Sequence, residues 1–190
     1  MAMALASAGG AVAQSASTAA TPTPSSAAAP ERVPTDVRRT TIIVADLENS
    51  LRLYRDVLGL KVNYDAPITV SGVALPAGKP GNKTRLVLLQ GNDGWVGWIG
   101  LLEFTDPPLP RPRKPYPKRL GIGGHVIVMN TTDVDARCAR AAQVPGVHFT
   151  APARDQSYPG RNGGPPIIVR GCNFFDPDGT FIELNQTISR

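Results

Sequence analysis

Two stretches of this sequence carry the same order of elements, each a strand, then a helix, then further strands that end near a carboxylate. A repeat of this size dictates architecture, because neither copy is large enough to bury a stable core alone. In the first copy, the β-rich run Arg39–Ala45 leads to Asp46, which stands at a helix N-cap position. Leu47, Leu51, Tyr54 and Leu58 then recur at helical spacing, and Gly59 sits where a left-handed C-cap is wanted. Segments 60–64, 84–89 and 95–104 read as strands separated by Gly, Pro and Asn clusters.

The second copy opens with a strand over His125–Met129, followed by a helix capped by Thr131 or Thr132 and running to about Gln143. Val134, Cys138 and Ala141 or Ala142 form its apolar stripe. Strands follow over 147–150, 166–175 and 180–185, with Asp176-Pro-Asp-Gly179 as a turn. The expected fold is α+β, two βαβββ modules paired in one domain, each lending a curved sheet to a shared cleft. Module one spans 37–105, a Pro-rich linker 106–120, and module two 121–186, within a domain of residues 35–190.

Residues 1–34 are almost entirely Ala, Ser, Thr, Gly and Pro and are excluded from the fold. Their small apolar start, ending in an A-x-A pattern before Gln14, resembles the end of a secretory signal but lacks its basic n-region. Periplasmic or secreted localisation is the expectation, with a plain cytoplasmic tail as the alternative. No apolar run approaches the roughly 20 residues needed to span a bilayer. The net charge of +5 is concentrated in the Pro-punctuated segment 111–119, which reads as a solvated connector rather than a nucleic-acid arm. Cys138 and Cys172 are too few for a disulfide scaffold. Cys138 is expected as a buried free thiol, with a single bridge open if the chain is exported.

Setting carboxylate against carboxylate matches Arg39 with His125 and Glu103 with Glu183, at offsets of 86 and 80 residues. Glu103, His125 and Glu183 are candidate metal ligands. Glu183 lies between Ile182 and Leu184, where burial without a partner is costly, and Glu103 shares its strand face with Ile99 and Leu101 by alternation.

The run RTTIIVADLENSLRLYRDVLGL over 39–60, IGLLEF over 99–104, GHVIVM over 124–129 and FFDPDGTFIELNQ over 174–186 together resemble the vicinal oxygen chelate superfamily, which unites glyoxalases, bleomycin-resistance proteins and extradiol dioxygenases. The resemblance implies a metal held by one first-strand residue and one last-strand carboxylate from each module. Carried over, these positions are Arg39, Glu103, His125 and Glu183. Arg39 departs from the pattern, since a guanidinium carries donors only.

Two pictures follow. In the first, a divalent ion (Zn, Mn, Fe, Co or Ni) sits on Glu103, His125 and Glu183 and acts as a Lewis acid on a small substrate with vicinal oxygens. Glu183 moves a proton as the catalytic residue of a glyoxalase-like lyase, isomerase or dioxygenase, and Arg39 binds the anionic part of the substrate. In the second, Arg39 replaces the metal, its fork reaching Glu103, Glu183 or both, and the domain binds or sequesters a small molecule. Tyr64, Trp98 and Tyr158 are candidates for shaping the substrate pocket. The positions at which glyoxalases hold glutathione are Ile43 and Pro107 here, which argues against a glutathione adduct. Neither picture calls for nucleic acid or a membrane span, and both admit a homodimer.

Overall fold

The computed structural model describes residues 35–72, 75–111 and 119–189. The export-like tail and most of the basic linker, 112–118, lie outside the described residues. Module one contains β1 (Arg39–Val44), α1 (Leu47–Leu51, continued by a π-wound stretch Arg52–Val57), β2 (Lys61–Thr69), β3 (Lys83–Gln90) and β4 (Trp98–Asp106). Module two contains β5 (Val126–Asn130), α2 (Val134–Ala141), β6 (His148–Tyr158), β7 (Ile167–Phe175) and β8 (Phe181–Ser189). The strand orders, β1-β4-β3-β2 and β5-β8-β7-β6, are the same in both. In each sheet the first and last strands of the module run parallel and the other neighbours antiparallel. The chain therefore has the expected α+β architecture of paired βαβββ modules.

One apolar core joins the modules. Ile42, Val44, Leu89, Ile99 and Leu101 of the first sheet share it with Cys172, Phe174, Ile182 and Leu184 of the second. The helical layer lies between them, contributing Leu47, Leu51, Tyr54, Val134 and Ala141. Each sheet thus has a helix face, and strand alternation assigns every other residue to the opposite face. On the first sheet that opposite face carries a small second core of Val70, Leu102 and Phe104. The β2–β3 loop covers it, passing so close to the Phe104 ring that Gly78 has no room for a Cβ. On the second sheet the same face is open, and Val126 and Val128 are 43 % and 58 % exposed.

The first helix departs from a plain α-helix in its second half, where the Leu58 N–H donates to the Leu53 carbonyl, five residues back, at 2.8 Å. The wider winding turns Val57 into the core and leaves Leu58 half-buried, whereas strict helical spacing puts Leu58 inside. Gly59 takes the left-handed conformation expected of it (φ 79°). Its neighbour Val57 offers its carbonyl to Arg137 at 2.6 Å and Arg140 at 3.3 Å, so cations from α2 meet the negative end of the first helix. The Asp176–Gly179 turn ties the modules from the other side. Asp178 accepts from the Ala45 N–H at 3.0 Å, and Asp176 accepts from the buried Tyr54 hydroxyl at 2.8 Å.

The cysteines correct the sequence expectation, because Cys138 on α2 is not a free thiol but is bonded to Cys172 on β7, with a Cα–Cα separation of 6.4 Å. Both stand on the facing sides of their elements, so the apolar stripe that buries Cys138 also brings it to Cys172. The N-cap of α2 is Asp133 rather than Thr131 or Thr132. Thr131 instead exchanges hydrogen bonds with Asp133, its hydroxyl accepting from the Asp133 N–H and donating to the carboxylate.

Candidate functional site

The register of the strands decides which residues occupy equivalent places. In module one, Asp46 caps the helix, and Thr41 pairs with Gly100. In module two, Asp133 caps the helix, and Val128 pairs with Glu183. The strand-to-helix segments are therefore related by 87 residues, which sets Arg39 against Val126 and Thr41 against Val128. The closing strands are related by 83 residues, which sets Trp98-Ile-Gly-Leu101 against Phe181-Ile-Glu-Leu184. Burial agrees, since Ile99 and Leu101 enter the common core as Ile182 and Leu184 do. The residue equivalent to Glu183 is Gly100, not Glu103.

Glu103 has another role. It pairs with Val44, a core residue, and so lies on the helix face of its sheet, while Arg39 pairs with Trp98 and lies on the opposite face. The Glu103 carboxylate accepts a hydrogen bond from the Leu47 N–H, the first of α1. Burial raises its pKa above the ordinary carboxylate value, with Asp46 adding to the rise, while the Leu47 N–H and Arg85 pull the other way. Its partner by repeat is Gln186, whose side-chain oxygen accepts from the Val134 N–H, the first of α2, at 3.2 Å. Both modules thus use the same last-strand position to satisfy the opening amide of their helix. The assignment of Glu103 as a ligand beside Arg39 does not hold, because the sheet lies between them.

His125 is also displaced. It precedes β5 and is exposed, and the position equivalent to Arg39 is the next residue, Val126. The four positions at which the resemblance implies metal ligands are consequently Arg39, Gly100, Val126 and Glu183. Only Glu183 offers a donor atom, so this set does not fit a metal ion. Among the described residues, no group of three or more His, Cys, Asp and Glu side chains is gathered as a metal site requires.

Arg39 and Gly100 fit one another. The Arg39 Cδ lies 3.2 Å from where a Cβ on Gly100 would stand, and the Thr41 hydroxyl lies 2.8 Å from the same point. The arginine stem therefore crosses the space that a side chain at position 100 would fill. Its exposed guanidinium forms no ion pair with Glu103, Glu183 or any other described residue, contrary to the expected fork between carboxylates. Beside it on the same face opens a groove of about 430 Å³ lined by Arg39, Thr41, Ile68, Val70, Leu86 and Leu102 among others.

Glu183 is half-buried on the open face of the second sheet, paired with Val128 on one side and Asn173 on the other. Its carboxylate has no hydrogen-bond partner among the described residues. Asn185, two residues on, lies across Gly171, where a Cβ would collide with its side-chain oxygen. Of the candidate pocket aromatics, Trp98 adjoins Arg39 and donates its indole N–H to the Asp93 carbonyl at 3.0 Å. Tyr64 pairs with Leu88, which pairs with Gly100, so it belongs to the same face as Arg39. Tyr158 lies elsewhere, at the end of the second sheet opposite Ile167. Sequence reasoning missed Gly100, whose framing by Ile99 and Leu101 repeats the framing of Glu183.

Among curated proteins, none matches the chain significantly in sequence. In structure it is similar to a glyoxalase family protein from Bacillus cereus, with a TM-score of 0.62 at 18 % identity over 86 % of this chain and 100 % of that one. Glyoxalase I of Leishmania major, described as trypanothione-dependent, gives a TM-score of 0.46 at 22 % identity over 80 % of this chain and 86 % of its own. The fosfomycin resistance protein FosX of Mesorhizobium loti gives 0.41 at 18 % identity over 77 % and 86 %. At these identities the likeness to the Bacillus cereus protein is one of fold. The sequence match extends over residues 37–184, most of the chain, and on it the protein belongs to the Glyoxalase/Bleomycin resistance protein/Dioxygenase superfamily.

Proposed function

We propose that this chain is a small-molecule-binding member of its superfamily that works without a metal ion, with Arg39 as the fixed cation of the site. One observation carries the reading: the arginine stem packs with Thr41 over Gly100, the position equivalent to Glu183, so a cationic residue stands beside the place where the resemblance implies an anionic ligand. A guanidinium keeps its charge at any ordinary pH and offers a planar pair of donors to an oxyanion. The ligand is a small molecule with an oxygen-bearing anionic group. The Cys138–Cys172 bridge supports a periplasmic or secreted location, where such bonds persist.

The test is a zinc titration of the wild type, whose melting temperature zinc should leave unmoved. A wild type stabilised by one zinc per chain, with the effect lost in Glu183→Ala, would overturn the reading.

A second reading rests on Glu183, whose half-buried and unpartnered carboxylate on an open face is placed to take a proton from a bound molecule. Under it, Glu183→Gln retains ligand affinity and abolishes turnover. Retained turnover would remove it.

A further inference from the structure

We infer that the ligand is an amphipathic monoanion, its carboxylate paired with Arg39 and its apolar body laid in the groove between the first sheet and the β2–β3 loop. The inference rests on the proposed metal-free reading and goes further by fixing the chemistry of the ligand on both sides.

The groove, of about 430 Å³, falls within the range of small-molecule pockets. Its floor is apolar. Leu102 and Val70 are almost fully buried there, with Ile68 and Leu86 packed against them in the small second core. Among the described residues that core is found only on the first sheet, while the equivalent face of the second carries Glu183, Asn185 and Thr187 along β8. Leu102 and Phe104 replace Asn185 and Thr187 by the repeat, so the two faces differ in chemistry although they share a backbone plan. Apart from Thr69 and Ser71, the groove's described lining away from Arg39 and Thr41 offers no hydrogen-bonding side chain.

Charge supplies the other half. Arg39 and Thr41 line the groove, and Arg39 has no ion pair to give up among the described residues. A carboxylate brought there gains a bidentate, charge-assisted pair without first displacing a protein carboxylate. One unpaired cation beside an apolar floor calls for one negative charge on an apolar body. A dianion would leave a charge without a partner, and a neutral amphiphile would leave the guanidinium unused.

Calorimetric titration of the wild-type chain with octanoate and with octan-1-ol separates the two contributions. Octanoate should bind saturably and at least about tenfold more tightly than the alcohol, the discrimination that one charge-assisted pair supplies. Arg39→Gln should abolish the preference while leaving octan-1-ol binding unchanged, and Arg39→Lys should restore part of it. Equal binding of acid and alcohol by the wild type, or octanoate affinity unaltered in Arg39→Gln, overturns the inference. The two levels fail separately: a metal-free chain that ignores octanoate refutes this assignment alone, whereas stoichiometric zinc on the wild type refutes the reading beneath it.

Discussion

Tyr54→Phe removes a single hydroxyl from the seam between the modules, and its cost follows from what that hydroxyl does. Tyr54 is wholly buried, and its O–H donates at 2.8 Å to Asp176, which is also wholly buried. Asp176 has two other donors, the N–H groups of Asp178 at 3.0 Å and Thr180 at 2.7 Å. Burial nevertheless raises the Asp176 pKa above the ordinary carboxylate value, its hydrogen bonds only moderating the rise, and burial with Asp176 close by pushes the Tyr54 hydroxyl well up. Losing a hydrogen bond to a charged group costs about 1.5–3 kcal/mol. The sign with pH follows from linkage. A carboxylate whose folded pKa is raised contributes stability that is complete below its unfolded pKa and is lost as pH rises through the folded value. Tyr54→Phe raises that folded value further, so the variant's deficit is largest at neutral pH and shrinks toward pH 4. Urea unfolding of wild type and variant at pH 7 and pH 4 measures both numbers. A variant as stable as the wild type at pH 7, or a larger deficit at pH 4, would refute the argument.

Other expectations follow from the same geometry. Glu103→Ala should cost about 0.5–2 kcal/mol by unfolding, the price of an unsatisfied helix start, while Glu103→Gln is tolerated because Gln186 performs the same task in module two. Arg39→Ala, at an exposed position without an ion pair, should change stability by no more than about 0.5 kcal/mol, measured in the same way. Replacing both Cys138 and Cys172 by Ala should destabilise by about 3–4 kcal/mol, the loop entropy expected for a sequence separation of 34, and native unfolding under dithiothreitol should approach the same value.

The order of elements was legible because hydrophobic periodicity and caps report it locally. Leu47, Leu51 and Tyr54 are buried at helical spacing, and Gly59 and Gly179 take positive φ where turns need them. Register was not legible from the carboxylates. Matching Glu103 to Glu183 aligned the halves by chemistry, whereas the protein aligns them by the apolar residues that enter the core, Ile99 and Leu101 with Ile182 and Leu184. The alternation that put Glu103 on the side of Ile99 and Leu101 was right, but that side faces a helix. His125 was misplaced by one residue because the second module has one more residue between its histidine and its helix cap, Asp133, than the first has between Arg39 and Asp46. On a strand, one residue is a change of face. The π-wound stretch and the disulfide depend on how the two modules close on each other, which no local pattern carries.

Arg39, Gly100, Val126 and Glu183 do not offer the donors of a metal site, and metal analysis of the full chain, purified without chelators or a histidine tag, tests this most directly. The expected result is far less than one divalent ion per chain, with the same result for Glu183→Ala. A wild type carrying about one ion per chain, and a Glu183→Ala variant carrying none, would contradict it.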